Sequence, residues 1–230
     1  MQVKPFHGEG PGPQTKDGCS VELYRQLPYR GEIEFLSHHL SPGDSILELG
    51  CGSGRLTRRF LSFGCAVTAV DNSAEMLSHV PLDAHLIHSD IEHLDLRQKF
   101  DVVILPSCLI NHADPEVRAA FVAAAFAHTK PAGRFIFERH DPLWLSSASV
   151  GLASEMQGIS VWIESVDHIG EVIEMTVRYA DARNSWKHSF SVVSLDDASL
   201  QHLLQPAGFG QITWLEKARC WACVSRQNIV

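Results

Sequence analysis

The sequence contains no apolar run long enough to cross a bilayer, since its longest nearly apolar stretches cover only residues 100–110 and 119–127. Its N-terminus has no charged segment followed by an apolar one, so a secretory signal is not predicted. The net charge is −8 and no cluster of lysine and arginine is visible, which argues against a nucleic-acid partner. These absences predict a cytoplasmic protein with no membrane or nucleic-acid partner.

The chain also lacks the pattern of a disulfide framework, although it has six cysteines. Thiols of a cytoplasmic protein are normally reduced and behave as small apolar side chains. Cys220 and Cys223 have the spacing of a redox pair, but they fall within a predicted terminal strand, where alternation points them to opposite faces. No further metal-ligating side chains accompany them, so no metal site is predicted.

The most informative segment present is residues 46–54, Ile-Leu-Glu-Leu-Gly-Cys-Gly-Ser-Gly. Glycines directly after a strand let the backbone approach a bulky ligand, and Asp71, at the end of the next apolar run, is placed to hold a ribose diol. The glycine spacing differs from the dinucleotide fingerprint, and Glu48 precedes it. A carboxylate there disfavours a pyrophosphate and suits a sulfonium and an amino group, so the loop favours S-adenosylmethionine over a nicotinamide dinucleotide.

Five segments resemble, in order, the motifs of the class I S-adenosylmethionine-dependent methyltransferases. They are residues 46–54, 69–77, 88–91, 100–112 and 130–134. The resemblance extends over residues 44–225, and Ala132 stands where the family's K-P-G-G turn has a glycine. It says little about the methyl acceptor.

The resemblance implies that S-adenosylmethionine is the methyl donor and S-adenosylhomocysteine the product. It assigns Asp71 to the ribose hydroxyls and Asp90 to the adenine amino group, although helix capping would also explain an acid at Asp90. The residues expected to contact the donor are Glu48, Gly50, Cys51, Gly52, Gly54, Asp71, Asn72, Met76, Asp90, Ile91 and Ser107.

Strands and helices alternate over residues 45–138, which predicts an α/β fold. We expect a doubly wound, Rossmann-like, seven-stranded and mostly parallel sheet with a terminal antiparallel hairpin and an added antiparallel β-meander. The single domain divides into a flexible N-terminus (1–18), a helical cap (19–40), a cofactor-binding core (44–142), the meander (158–195) and a final helix and hairpin (196–230). Predicted elements include a helix over 115–129, meander strands over 159–166, 171–180 and 186–195, and hairpin strands over 210–216 and 219–225.

Within the helical cap, Tyr24 and Arg30 are expected to fold over the donor, with Arg30 pairing the donor's carboxylate. Arginine suits that task because its planar guanidinium matches a carboxylate. An amphipathic helix with a solvated Arg30 explains the same pattern equally well.

Two histidines follow the fourth and fifth predicted core strands, where ligands lie in open α/β sheets. His112 and His140 are therefore the candidate general bases, since histidine titrates close to neutral pH. A purely structural role is the alternative for each.

Aromatic side chains of the meander are candidates for an acceptor pocket. Alternation puts Trp186 and His188 on one face of a predicted strand, and Trp144 follows the fifth core strand. If that face does not cover the donor, Trp186 and His188 belong to the core or to an interface between subunits.

The sequence therefore predicts methyl transfer to an O or N atom of a small-molecule acceptor, with a homodimer left open. The alternatives are a nucleic-acid or protein methyltransferase, a nicotinamide-dependent oxidoreductase and a cofactor-binding protein without catalysis. Against nucleic acid, the chain lacks the Asn/Asp-Pro-Pro-Tyr/Phe motif of enzymes that methylate exocyclic base nitrogens.

Overall fold

Two sheets organise the protein in the computed structural model, which describes residues 6–227. The strands, numbered along the chain, are β1 His7–Glu9, β2 Ser45–Leu49, β3 Ala66–Asp71, β4 His85–His88, β5 Phe100–Leu105, β6 Thr129–Glu138, β7 Gly151–Met156, β8 Ile159–Ile169, β9 Val172–Ala180, β10 Ser185–Val193, β11 Thr213–Trp214 and β12 Trp221–Ser225. The helices are α1 Val21–Gln26, α2 Glu32–Leu36, α3 Thr57–Phe63, α4 Ala74–Leu77, α5 Pro115–His128, α6 Pro142–Ser147 and α7 Asp197–Leu204. Short 3-10 turns cover Ser37–His39, Ile91–His93, Leu109–Asn111 and Gln205–Ala207.

The core sheet has seven strands in the order β11-β12-β6-β5-β2-β3-β4. The pairs β2–β3, β2–β5, β3–β4 and β5–β6 are parallel, whereas β12 runs antiparallel to β6 and to β11. The predicted doubly wound, mostly parallel sheet with a terminal antiparallel hairpin is therefore confirmed. Strand β11 covers only two residues of the predicted 210–216.

Both faces of the core sheet are covered, which explains why its central strands carry buried apolar side chains on both faces. Ile46 and Leu47 are adjacent in β2 and are both fully buried, yet they belong to hydrophobic clusters on opposite faces. Phe121 of α5 lies in the same cluster as Leu47, and Phe60 of α3 lies with Ile46.

The second sheet is the predicted antiparallel meander with two further strands. Its order is β1-β10-β9-β8-β7, so β7 and β1 flank the three strands expected from the sequence. Strand β8 continues to Ile169, and the turn expected over 167–170 is confined to the residues around Gly170, which has a φ of +64°. The glycine permits this tighter turn because it has no Cβ.

The N-terminal segment differs from the prediction of a flexible residue range 1–18. Residues 7–9 form β1 and pair with β10, and a Cβ on Gly8 would clash with the Gly18 carbonyl oxygen. Segment 6–20 is therefore packed as a strap, which we name the N-terminal strap; the rest of the predicted range, residues 1–5, lies outside the described residues. The predicted cap over 19–40 consists of α1, α2 and one 3-10 turn.

Side chains cap the first turns of α5 and α7. Asp114 accepts a hydrogen bond from the Glu116 N–H at the start of α5, and Asp196 does the same for the Ser199 N–H at α7. Helix α5 ends at His128, close to the expected residue 129. No helix within residues 6–227 is both long and apolar enough to cross a membrane.

Candidate active site

The loop between β2 and α3 contains three glycines that all adopt left-handed backbone conformations. Their φ angles are +76° at Gly50, +54° at Gly52 and +82° at Gly54. A Cβ on Gly50 would lie 2.6 Å from Leu109 Cδ1, whereas one on Gly52 would meet only Tyr24, at 3.6 Å. The loop therefore needs glycine at position 50 for both conformation and space.

Backbone N–H groups of this glycine loop are already used within the protein. Those of Gly50 and Cys51 both donate to the Val70 carbonyl at 2.9 Å, and that of Gly52 donates to Asp71 Oδ2 at 2.8 Å. Few free N–H donors remain to hold a phosphate, which distinguishes this loop from a phosphate-binding one.

Asp71 lies at the end of β3 and faces the glycine loop. Its Oδ1 accepts from the Ser73 N–H at 3.0 Å, so each carboxylate oxygen has one backbone donor. Burial raises the pKa of Asp71, while the hydrogen bonds from Gly52 and Ser73 oppose this rise. Each oxygen keeps a further lone pair for a ligand.

Asn72 and Asp90 continue the same edge of the sheet. Asn72 Nδ2 donates to Asp90 Oδ1 at 2.9 Å, and Lys16 Nζ of the N-terminal strap donates to the same oxygen at 3.1 Å. These two hydrogen bonds lower the pKa of Asp90. The sequence did not indicate the contact with Lys16, because it joins residues 74 positions apart.

Three apolar side chains predicted for the donor site are buried, one of them within the glycine loop itself. Met76 and Cys51 are buried, and Ile91 is buried at the start of its 3-10 turn. Tyr24 packs in a small cluster with Met76, and its hydroxyl accepts from Cys19 Sγ at 3.2 Å. Tyr24 thus lies against the loop, and its expected contact with the donor stays a prediction.

Glu48 occupies a different position from the one its predicted role needs. Its side chain is 1% exposed, and Thr57 Oγ1 of α3 donates to Glu48 Oε2 at 2.6 Å. Burial raises the pKa of Glu48 to about 7. The carboxyl is therefore partly protonated at neutral pH and is bonded to the helix. This corrects the expectation of a fixed negative charge that attracts a sulfonium.

A buried charge network joins the cap to the ends of β5 and β6. Glu138 Oε2 accepts from the Ser107 N–H at 2.7 Å, and Arg30 Nη2 donates to Glu138 Oε1 at 3.3 Å. Arg30 also lies 3.6 Å from Glu32, which pairs in turn with Arg55. Arg30 therefore contacts two carboxylates, although its side chain stays 53% exposed to solvent. Its expected pairing with a donor carboxylate stays a prediction.

Glu138 was not singled out by the sequence, although it precedes Arg139 and His140. It is the last residue of β6 and is buried. Burial raises the pKa of Glu138, and Arg30 opposes this rise. An acid directly after the apolar run 135–137, at the carboxyl edge of the sheet, is the signal that could have identified it.

His140 follows β6 and is held by its backbone and its ring. Its N–H donates to Asn111 Oδ1 at 2.9 Å, and its ring stacks on Trp144 with 5.7 Å between centroids. Burial lowers the pKa of His140 to about 4, with a further contribution from Arg30. The imidazole is therefore neutral at pH 7 and only weakly basic.

His112 has its basic ring nitrogen occupied. The Asp114 N–H donates to His112 Nδ1 at 3.1 Å, which places the ring proton of the neutral tautomer on Nε2. Burial lowers the pKa of His112, so the neutral form dominates at pH 7. In this tautomer Nε2 donates a hydrogen bond and does not accept a proton.

The structure brings His188 close to His112 through Phe6. The Phe6 ring lies 5.3 Å from the His112 ring and 6.4 Å from the His188 ring, between centroids. His188 Nε2 lies 2.9 Å from the Asp17 carbonyl oxygen, which requires Nε2–H as donor and leaves Nδ1 as acceptor. Burial lowers the pKa of His188.

The tryptophans predicted for an acceptor pocket separate into two environments. Trp144 is 38% exposed beside His140 and is open to a ligand. Trp186 is 1% exposed, packs with Leu23 and Ile159, and donates from Nε1 to the Pro11 carbonyl at 3.0 Å. The N-terminal strap covers it, so Trp186 belongs to the core and does not line an acceptor pocket here.

Metal-ligating groups are not clustered in the described structure. Within residues 6–227, no three His, Cys, Asp or Glu side chains are arranged to hold a metal ion. All six cysteines fall inside this range and are free.

Comparison with known proteins gives matches that include the glycine loop and Asp71. Residues 46–133 match the family model described as a methyltransferase domain. The chain is 29% identical over 120 residues to a ubiquinone biosynthesis O-methyltransferase of Bradyrhizobium sp. (strain ORS 278); the match covers 49% of this chain and 46% of the relative. The chain thus spans about half the length of the curated relative it matches.

Two solved structures share the fold over most of the chain. The CcbJ methyltransferase of Streptomyces caelestis has a TM-score of 0.71 at 17% identity, covering 90% of this chain and 95% of that one. CalS10, an amino pentose methyltransferase of Micromonospora echinaspora, has a TM-score of 0.67 at 19% identity, covering 90% and 95%. At these identities the likeness concerns the fold alone.

Proposed function

We propose that this chain, which contains a methyltransferase domain with the class I fold, transfers a methyl group from S-adenosylmethionine to an O or N atom of a small-molecule acceptor. The single observation that carries the proposal is the placement of Asp71. Its carboxylate, at the end of β3, bonds the Gly52 N–H of the glycine loop and retains a lone pair on each oxygen. A ribose diol needs two such acceptors side by side.

The other predicted donor residues fit an adenosyl group. Asp90 offers a carboxylate for the adenine amino group, and Ile91 and Met76 supply apolar surface nearby. A nicotinamide dinucleotide fits less well, because the N–H groups of Gly50, Cys51 and Gly52 already have acceptors and cannot hold its pyrophosphate. When bound, S-adenosylmethionine supplies a methyl carbon activated by its sulfonium.

The chain's own contribution is to align the acceptor, exclude water and remove a proton. Alignment of two reactants can contribute several kcal/mol. Tyr24 of the cap lies against the glycine loop, and Lys16 of the strap bonds Asp90, so the cap and the strap both reach this edge of the sheet. Such a position suits the enclosure of a small acceptor.

We assign the proton-accepting role to His140 rather than to His112. His140 is neutral at pH 7, has no hydrogen bond on its ring nitrogens among the described residues, and lies next to the exposed Trp144. Its pKa of about 4 makes it a weak base, so it suits an acceptor whose proton becomes acidic as the new bond forms. His112 has its Nδ1 occupied by the Asp114 N–H.

The acceptor class rests on the site and on the relatives' functions. A buried network around Glu138 and a stacked His140–Trp144 pair are suited to a compact polar or aromatic molecule. One relative is an O-methyltransferase and one structural neighbour methylates an amino pentose, which supports oxygen or nitrogen as the methylated atom.

Thermal unfolding with three ligands tests the donor. At about 100 times its dissociation constant, a ligand stabilises the native state by ~2.7 kcal/mol, and each kcal/mol moves the midpoint by roughly 2–4 °C for a domain of this size. We expect S-adenosylmethionine and S-adenosylhomocysteine to raise the midpoint and NADH to leave it unchanged. A rise with NADH alone would make the protein an oxidoreductase.

Acceptor screening follows with phenols and amino sugars as probes. Mass spectrometry should show an acceptor heavier by one CH2 unit together with S-adenosylhomocysteine. Methylation of oligonucleotides or peptides, with no small molecule methylated, would contradict the acceptor class while leaving the donor assignment intact.

A further inference from the structure

A basic groove adjoins the glycine loop, and Tyr24 and Ser53 form part of its wall. Its volume is about 560 Å³, and its lining includes Arg25 of α1 together with Arg55, Arg58 and Arg59 before and within α3. A second cavity of about 300 Å³ shares Arg25, Ser53 and Arg58 with it. We name the two together the arginine groove.

The groove is positively charged on a strongly acidic chain. Four of the chain's nineteen basic side chains line its larger part, where Asp83 is the one acid among the lining residues of the described structure. The lining residues of the larger part carry a net charge of +3, so the remaining residues of the chain carry a net charge of −11. The sequence shows no cluster of lysine and arginine but leaves a local basic patch open. The fold forms such a patch by bringing Arg25 next to Arg55, Arg58 and Arg59.

Two of the four guanidinium groups have no carboxylate partner within residues 6–227. Arg25 pairs with Glu22 and Arg55 pairs with Glu32. Arg58, by contrast, donates only to backbone carbonyl oxygens, at 2.7 Å to Ser53 and 2.8 Å to Gly54.

Arg59 is the second unpaired charge. Its guanidinium carbon lies 4.3 Å from the centre of the Tyr29 ring. Neither carbonyl oxygens nor an aromatic ring carry a formal charge, so the charges of Arg58 and Arg59 are fixed in place but not neutralised.

We propose that the arginine groove binds the phosphoryl groups of a small molecule, separately from the methyl donor. Planar guanidinium groups match phosphate oxygens in pairs, and several positive charges favour a multiply charged anion over a single carboxylate. The volume is that of a small-molecule site. Tyr24 and Leu27 supply apolar wall for the organic part of such a ligand. The proposal does not depend on methyl transfer.

Isothermal titration calorimetry with inorganic pyrophosphate tests this site, with acetate as a singly charged comparison at constant ionic strength. We expect saturable 1:1 binding of pyrophosphate and weaker or no binding of acetate. Replacing one charged hydrogen-bond donor should raise the dissociation constant about 10-fold or more, so Arg59→Gln and Arg58→Gln should both do so. Arg183→Gln, at an exposed position in the turn between β9 and β10, is the matched control and should change nothing.

Further measurements distinguish the outcomes. Arg58→Gln removes hydrogen bonds to the glycine loop, so circular dichroism must show that it folds; Arg59→Gln has no such bonds and tests the site by itself. S-adenosylhomocysteine at saturation should leave pyrophosphate binding intact. Absence of binding to the wild type, equal loss in Arg183→Gln, unchanged affinity in Arg59→Gln, or displacement by S-adenosylhomocysteine would each overturn the proposal.

Discussion

The two sides of the candidate active site are held by different kinds of interaction. On the donor side, which comprises residues 50–54, Asp71, Asn72 and Asp90, backbone groups define the geometry: the glycine loop bonds Val70 and Asp71 through its N–H groups. On the acceptor side, which comprises Glu138 and His140, side-chain charges and a ring stack do so. Arg30 and Ser107, both expected from the sequence to contact the donor, hold Glu138 and so join the two sides.

This difference matters because the two kinds of contact respond differently to substitution. Backbone geometry depends on a few residue types, whereas a network of buried charges depends on every partner being present. The donor side should therefore be sensitive at single positions and common to related proteins. The acceptor side is the part that a protein of this fold can change to suit its acceptor.

Asp71→Ala should give the largest effect and break the donor side alone. The substitution removes both proposed acceptors of the ribose diol, and hydrogen bonds to a charged group contribute roughly 1.5–3 kcal/mol each, so donor affinity should fall about 100-fold or more. Calorimetry with S-adenosylhomocysteine measures this loss. Asp71→Asn keeps one acceptor oxygen, so its affinity for S-adenosylhomocysteine should lie between those of Asp71→Ala and the wild type. Donor affinity within about twofold of wild type in Asp71→Ala would refute the assignment.

His140→Ala should break the acceptor side and leave the donor side intact. A positioned base typically contributes a factor of ~10²–10⁴, and for a base as weak as His140 we expect the lower end, about a 100-fold loss in turnover. The affinity for S-adenosylhomocysteine should be unchanged. His168→Ala, at an exposed position in β8, is the matched control. Unchanged turnover would reject His140 as the base without affecting the donor assignment.

The low pKa of His140 makes the acceptor side sensitive to pH. Its native pKa of about 4 lies below the unfolded value of ~6.5, so between these values the unfolded chain binds more protons and the native state loses stability as pH falls. From pH 7 to pH 5 this amounts to about 2 kcal/mol. Urea unfolding at both pH values measures the free energy of unfolding. Between pH 7 and pH 5 this free energy should fall less in His140→Ala than in the wild type, by the same amount. An equal loss of stability in the variant and the wild type would mean that His140 is protonated as readily in the folded protein as in the unfolded chain.

Sequence and structure agree most closely on the donor side. The glycine loop and Asp71 lie within residues 46–71, and their relation follows from a strand, a helix and the next strand. Local order of this kind is readable because parallel neighbouring strands bring their carboxyl ends to one edge. The exception is Glu48. The sequence shows an acid at this position, but its burial against Thr57 depends on how α3 packs and could not be predicted.

The acceptor side could not be assembled from the sequence in the same way. Arg30 and Glu138 are 108 residues apart, so their pairing depends on where the cap lies. On the donor side the contact between Lys16 and Asp90, 74 residues apart, depends in the same way on the strap. Trp186 illustrates the same limit. Alternation along the strand indicates which side of the meander Trp186 lies on, but only the path of the N-terminal strap shows that the strap covers it. The sequence therefore predicted the core sheet correctly but did not predict which polar side chains, distant in sequence, would contact each other.

The difference between Gly50→Ala and Gly43→Ala should be the smallest of these effects, and it sharpens the claim that backbone geometry holds the donor side. Gly43 has a similar φ of +92°, but a Cβ there would meet nothing within 4 Å, so Gly43→Ala measures the conformational cost alone, about 1–2 kcal/mol. Gly50→Ala adds the approach to Leu109 Cδ1 and should cost about 1 kcal/mol more in urea unfolding, since overpacking typically costs about 1–3 kcal/mol and a leucine end can partly shift. It should also weaken S-adenosylhomocysteine binding, which Gly43→Ala should not. Equal behaviour of the two variants would mean that the loop tolerates a side chain at position 50, and that the donor side is less rigid than its hydrogen bonds indicate.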